Sequence, residues 1–144
     1  MKIYKKNQFE IDENKIQALG VDHDVLEKLR TGKALAVHAR FGDYLTVDII
    51  SPMEPEYYKG AVARMIESQG LSEDIEVFVF TDNIACVKAQ LPSHWQPIKQ
   101  HKLSDFYCLQ QARHLVIANS TFSLMAAVLN PNVAEVIHPR KWFN

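Results

Sequence analysis

Polar residues that can bind an anion follow the first strongly apolar segment of the sequence. Residues 35–37 are apolar, and they are followed by His38 and Arg40 and then by Gly42 and Asp43. An arginine at the carboxyl end of a strand can clamp phosphate oxygens with paired hydrogen bonds. One alternative is that Arg40 forms a surface salt bridge with Asp43. The other is that His38 is a strand-end histidine whose hydrogen bonds are satisfied within the protein.

Hydroxyl side chains form a second candidate anion site. Ser120, Thr121 and Ser123 follow Asn119 and precede an apolar helical segment. The first backbone N–H groups of a helix are unpaired, and the helix dipole favours an anion there, while the hydroxyls add donors. The sequence has neither a G-x-G-x-x-G motif nor a Walker P-loop, so this turn would replace a glycine-rich phosphate loop. The alternative is that one hydroxyl only caps the helix.

A third candidate is Asp82, which follows the apolar segment 76–80. A carboxylate at this position can accept two parallel donors, such as the N1–H and N2–H₂ groups of guanine. It can also cap the next helix. The six histidines and two cysteines show no spacing typical of metal ligands, so no metal site is predicted.

Composition and charge exclude several classes of function. The 144 residues are 47% hydrophobic and 23% charged, which is typical of one soluble globular domain. The net charge of −1 creates no field that would attract nucleic acid or an anionic membrane. No apolar run approaches the roughly 20 residues of a membrane span, and the start has no apolar signal segment. We therefore expect a cytoplasmic protein that binds no nucleic acid and spans no membrane.

Apolar segments alternate with helical patterns along the chain. Asp22 or Asp24, Asn83 or Asp82, and Ser104 are suited to cap helices, and Gly32 and Gly70 to end them. Residues 1–21 are predicted to be an N-terminal arm or a short strand and helix, and 1–144 to be one domain. The alternation predicts an α/β fold, a parallel sheet with helices on both faces. Strands are predicted near 33–39, 76–80, 96–99, 115–118 and 133–138, and helices near 22–31, 55–68, 84–90, 104–114 and 124–129.

Taken in order, these segments resemble the alpha-1,2-fucosyltransferase family. Residues 38–44 (HARFGDY) resemble its H-x-R-R-G-D-Y motif, residues 57–61 (YYKGA) its Y-Y-x-x-A helix, and residues 79–83 (VFTDN) its F-S-D-[DN] strand end. Residues 105–123 resemble its D-x-x-L-M-x-x-C-K-H-x-I-I-A-N-S-T-F-S-W-W block. Phe41 stands where the first motif has a second arginine, and Leu124-Met125 stand where the block has two tryptophans.

The resemblance implies the nucleotide-sugar-binding half of a GT-B glycosyltransferase, with a Rossmann-like sheet that binds GDP-fucose as donor and needs no metal or other cofactor. Arg40 would hold the β-phosphate and neutralise the departing GDP. Asn119 belongs to the implied substrate-binding set, and the phosphate would also meet the three hydroxyls of the 120–123 turn. His38 and Asp82 would contact guanine.

Transfer of fucose to a galactoside-type glycan would be inverting and metal-independent. Such a reaction needs fixed positive charge for the developing diphosphate and a carboxylate to take the acceptor proton. Asp43 is the candidate base, although it can instead only orient Arg40 or its loop. Residues 1–33 precede the motifs, so the family's acceptor domain is expected to be largely absent, and a homodimer or a partner chain would supply it. A non-catalytic GDP-sugar-binding module and a decayed scaffold domain that dimerises are the alternatives.

Overall fold

The computed structural model describes residues 12–41 and 53–142. Residues 1–11 of the predicted arm and most of the loop after Phe41, with Gly42 and Asp43, lie outside the described residues. The elements in chain order are α1 (Glu13–Leu19), α2 (His23–Thr31), β1 (Ala34–Ala39), α3 (Pro55–Gln69), β2 (Glu76–Thr81), α4 (Ile84–Gln90), β3 (Gln96–Ile98), α5 (Lys102–Gln111), β4 (His114–Val116), α6 (Thr121–Val128) and β5 (Glu135–Ile137).

The five strands form one parallel sheet in the order β3-β2-β1-β4-β5. The predicted α/β fold with a Rossmann-like parallel sheet is therefore confirmed. The chain adds β2 and β3 on one side of β1 and then crosses to add β4 and β5 on the other side. This reversal places a topological switch point between β1 and β4, and ligands of such sheets bind beyond the carboxyl ends of the strands at that point.

Helices cover both faces of the sheet, and alternate residues of each buried strand point to opposite sides, so each such strand contributes to two cores. Ala36, Phe78 and Leu115 belong to the core formed with α1, α2, α5 and α6. Val37 and Val79 belong to the core formed with α3 and α4. Burial on both faces explains why these strands are continuous apolar runs in the sequence.

Local signals fix several helix ends as predicted. Asp22 caps α2 by accepting hydrogen bonds from the backbone N–H groups of Asp24 and Val25, both at 3.1 Å. Gly32 ends α2 with a φ of 79°, a conformation that glycine adopts without steric cost. Asn83 caps α4 through a 3.1 Å hydrogen bond from the backbone N–H of Cys86.

Two predicted helix starts are wrong. The N-cap of α5 is His101, whose Nδ1 accepts from the backbone N–H of Leu103 at 3.1 Å, and Ser104 is buried within the helix. This helix also ends at Gln111, because His114 already belongs to β4. The last helix begins at Thr121 rather than at residue 124. Thr121 and Ser123 of the hydroxyl-rich segment therefore lie in its first turn, and Ser120 is its N-cap residue.

Candidate functional site

A cavity of about 460 Å³ opens at the carboxyl ends of β1, β2 and β3. Three neighbouring strand ends and the first turns of α5 and α6 contribute its walls, so parallel strand order alone brings together residues far apart in sequence. The lining residues are His38, Arg40, Thr81, Asp82, Lys99, Gln100, Lys102, Asp105 and Phe122. Of the predicted site residues, the cavity thus gathers His38, Arg40 and Asp82.

His38 lies near the end of β1 and is buried. Its ring lies 5.4 Å from the ring of Phe122, centroid to centroid. Burial, and next the positive charge of Arg40, lower the pKa of His38 to about 4. Its Nδ1 has no hydrogen-bond partner within the part of the chain that the structure describes. At neutral pH, His38 is therefore an uncharged group that can exchange a hydrogen bond with a ligand.

Asp82 connects the ends of β1 and β2. Its Oδ1 accepts a hydrogen bond from the backbone N–H of Phe41 at 3.0 Å. The predicted alternative that Asp82 caps α4 is wrong, because Asn83 performs that role. Arg40 is half-buried directly after β1 and shares the cavity with Asp82. A cation and a carboxylate thus line the same cavity where β1 and β2 end.

Phe122, within the hydroxyl-rich turn after β4, lines the cavity. Ser120 occupies the N-cap position of α6, but its side chain makes no capping hydrogen bond, and within residues 12–41 and 53–142 its buried Oγ has no partner. Ser123 is fully buried and donates to the carbonyl of Ser120 at 3.5 Å, whereas Thr121 is exposed. Asn119 donates through Nδ2 to the carbonyl of Trp142 at 3.4 Å. Contact of these side chains with a phosphate stays a prediction.

Several cavity residues were missed by the sequence patterns, and Asp105 is the most buried of the charged ones. Only 9% of Asp105 is exposed, and its Oδ1 has no hydrogen-bond partner among the residues described. Burial raises its pKa to about 7, although a hydrogen bond with Gln100 opposes this shift. Asp105 begins the block 105–123 quoted above, so that block held a signal for it. No comparable signal in the sequence indicates Lys99 or Lys102.

Comparison with known proteins agrees with this architecture. The model of glycosyl transferase family 11 matches residues 6–144. The chain belongs to this family. The resemblance to the alpha-1,2-fucosyltransferase family is thereby confirmed. The chain is also 29% identical over 119 residues to the O-antigen biosynthesis glycosyltransferase WbnK of Escherichia coli, and the match covers 75% of this chain but 38% of that relative. The chain thus matches well under half of the length of this curated relative.

Family 11 motif residues outside the cavity position its walls. The hydroxyl of Tyr57 donates to the carbonyl of Ile117 at 2.7 Å, which fastens α3 to the end of β4 just before the 119–123 turn. Tyr57 also packs against Tyr58, with ring centroids 5.1 Å apart. The aromatic pair of the Y-Y-x-x-A helix therefore supports the strand end from which α6 starts.

Phe41, at the position of the motif's second arginine, does not line the cavity. Its side chain is 6% exposed and packs edge-on against Tyr58 in the core on the α3 side, with ring centroids 6.3 Å apart. Leu124 and Met125, at the positions of the two tryptophans, are 37% and 46% exposed on α6. Asp43, the predicted base, lies outside the described residues.

The described residues contain neither a group of side chains that could ligate a metal ion nor a helix that could span a membrane. Within residues 12–41 and 53–142, no three His, Cys, Asp or Glu side chains come together in a way that would ligate a metal ion. In the same ranges, every helix is too short or too polar to cross a bilayer.

Proposed function

We propose that this chain binds GDP-fucose and its product GDP in the cavity beyond β1–β3, and that it acts in the transfer of fucose to a galactoside-type glycan. The observation that carries the proposal is the position of Arg40. This cation lies directly beyond the central strand, next to the switch point, and shares a cavity with Phe122 of the first turn of α6. Family membership supports a sugar donor, and the relative named for O-antigen biosynthesis supports a glycan acceptor.

In this proposal, the protein stabilises the leaving group with groups that are already in place. The bond between C1 of fucose and the β-phosphate oxygen breaks, and GDP departs with the bonding electron pair. Arg40 offsets the charge that develops on the phosphate, and the uncapped N–H groups of α6 act in the same direction. The acceptor hydroxyl forms the new bond to C1, and its proton passes to a carboxylate, for which Asp43 is the proposed base. We propose that no metal and no other cofactor takes part.

The nucleoside is proposed to lie beside His38 and Asp82. The uncharged imidazole of His38 has a buried nitrogen that can exchange a hydrogen bond with the base without the cost of burying a charge. Asp82 lies at the end of the neighbouring strand, where a carboxylate can accept the paired donors of guanine. The Asp82 contact favours guanine over uracil, because uracil lacks the second adjacent donor.

Isothermal titration calorimetry with GDP, GDP-fucose and UDP tests the binding step. We expect binding of GDP and GDP-fucose but much weaker binding of UDP. Arg40→Ala should weaken GDP binding at least about tenfold, since a charge-assisted contact to phosphate is lost. Arg64→Ala is the matched control, because Arg64 is exposed on α3 and influences Glu135 at the amino end of β5. Equal binding of GDP and UDP, or no effect of Arg40→Ala, would contradict the proposal.

A transfer assay separates an enzyme from a binding module. Incubation of the chain with GDP-fucose and a panel of β-galactosides should release GDP and yield a fucosylated product. Arg40→Ala should abolish this turnover, whereas Arg64→Ala should not. Tight GDP binding without turnover on any acceptor would support the non-catalytic module instead.

A further inference from the structure

Two lysines line the proposed nucleotide cavity two strands away from Arg40. Lys99 directly follows β3, and Lys102 begins α5. Neighbouring strands lie about 4.8 Å apart, so the backbone after β3 is roughly 10 Å from the backbone after β1. Long lysine side chains and an arginine can span this distance from both sides to one charged ligand. Neither lysine belongs to the motifs quoted above.

The segment that carries these lysines is anchored on both sides. The Gln100 side chain accepts a hydrogen bond from the backbone N–H of Asp22 at 3.2 Å and donates to the Cys108 sulfur at 3.4 Å. His101 caps α5 through its hydrogen bond with Leu103. The hydrogen bonds of Gln100 and His101 therefore anchor the backbone that carries the two lysines.

Within the described part of the chain, neither Lys99 nor Lys102 forms a salt bridge, unlike Lys28 and Lys59. Asp105 lines the same cavity, but its Oδ1 makes no hydrogen bond there. Among the described residues, the lining of this cavity holds three cations, Arg40, Lys99 and Lys102, against two carboxyl groups, Asp82 and Asp105, and this excess of positive charge favours an anionic ligand.

The position of Phe41 explains why a second source of positive charge matters. The family motif has an arginine there, but the Phe41 side chain packs against Tyr58 in the core under α3. Of the described residues at the β1 end, Arg40 is consequently the one cation that lines the cavity, whereas a nucleoside diphosphate carries at least two negative charges. The β3–α5 side supplies the remaining cations in this chain.

We propose that Lys99 and Lys102 are ligand-binding residues that hold the diphosphate charge from the β3–α5 side while Arg40 holds it from the β1 side. This inference rests on the proposed function. The two-sided arrangement selects nucleoside diphosphates and their sugar esters over monophosphates, since a single phosphate cannot engage both groups of cations as fully.

Titration calorimetry with GDP and GMP tests this inference. The double substitution Lys99→Gln with Lys102→Gln should weaken GDP binding about tenfold and GMP binding by less, so the preference for GDP shrinks. The double substitution Lys99→Arg with Lys102→Arg keeps the charges and should preserve that preference. Lys88→Gln, at an exposed lysine in the last turn of α4, is the matched control. The exposed positions predict unchanged melting temperatures without ligand for all variants.

The outcomes separate this inference from the proposed function. If the unaltered chain binds no GDP, both fall. If it binds GDP and Arg40→Ala weakens binding, but the double glutamine variant binds GDP within twofold of the unaltered chain, then only the role of the lysines is refuted. An equal loss for GDP and GMP would refute the selection of diphosphates.

Discussion

The backbone N–H of Phe41 donates to the carboxylate of Asp82 at 3.0 Å, so one side chain ties the ends of two neighbouring strands together. Phe41 follows Arg40, and Asp82 lines the same cavity. This hydrogen bond therefore holds the backbone from which the proposed phosphate-binding cation extends.

Substitutions at Asp82 should separate its structural role from its proposed contact with guanine. Asp82→Ala should lower the free energy of unfolding by about 1 kcal/mol, since the backbone donor loses its partner, and it should also weaken GDP binding. Asp82→Asn keeps an oxygen acceptor, so it should preserve stability but still weaken GDP binding. Urea unfolding and calorimetry measure the two effects. Equal GDP affinity in Asp82→Asn and the unaltered chain would rule out the guanine contact.

An arginine introduced at position 41 should not improve nucleotide binding. Phe41→Arg should destabilise the protein by about 3 kcal/mol, because a charge would replace an aromatic ring buried against Tyr58. It should not tighten GDP binding, since the side chain at position 41 lies in the core under α3. Phe41→Leu is the control for lost volume and should cost less. Tighter GDP binding by Phe41→Arg would show that this position reaches the cavity.

His38 should make the protein sensitive to acid. Its pKa is about 4 in the folded state, mainly because of burial, against 6.5 when unfolded. The stability from keeping His38 neutral is therefore fully present above pH 6.5 and is lost as the pH falls through 4. In urea unfolding, the stability difference between the unaltered chain and His38→Gln should change by up to about 3 kcal/mol from pH 7 to pH 4. A constant difference across this range would contradict the assignment.

Asp105 should have the opposite effect on the pH dependence of stability, since its ionisation destabilises the protein as the pH rises. Its pKa is about 7 in the folded state because of burial, against 3.8 when unfolded. The stability associated with the protonated carboxyl is fully present below pH 3.8 and is lost as the pH rises through 7. Asp105→Asn stays neutral, so above pH 7 it should be more stable than the unaltered chain by more than about 1 kcal/mol. Equal stability of the two proteins at pH 8 would refute this.

Ionisation of Asp105 should also weaken nucleotide binding, because it adds a negative charge to the cavity. GDP affinity should therefore fall more steeply between pH 6 and pH 8 in the unaltered chain than in Asp105→Asn. The titration of GDP itself is common to both proteins and cancels in the comparison. Parallel pH profiles would mean that Asp105 does not face the bound nucleotide.

Elements with strong local causes were predictable from the sequence. Three features depend on neighbouring residues alone: the cap formed by Asp22, the glycine ends at Gly32 and Gly70, and the apolar strand predicted at 76–80, which the structure extends by one residue to Thr81. The start of α5 was not predictable in this way. Serine is the commoner cap, but the anchored segment around Gln100 places the His101 ring at the helix start.

By itself, the sequence determined the family, the parallel α/β fold and the three separate groups of polar residues at strand ends, since motif order and apolar periodicity are local properties of the chain. Only the tertiary structure decided which of these groups share a cavity. Strand order brought Lys99, Lys102 and Asp105 into one cavity with Arg40, whereas the Phe41 side chain lies in the core on the α3 side. The physical reason is that two factors decide which residues are neighbours at a sheet edge: the order of the strands and the face to which each side chain points. The spacing of residues along the sequence determines neither factor when a crossover separates the strands.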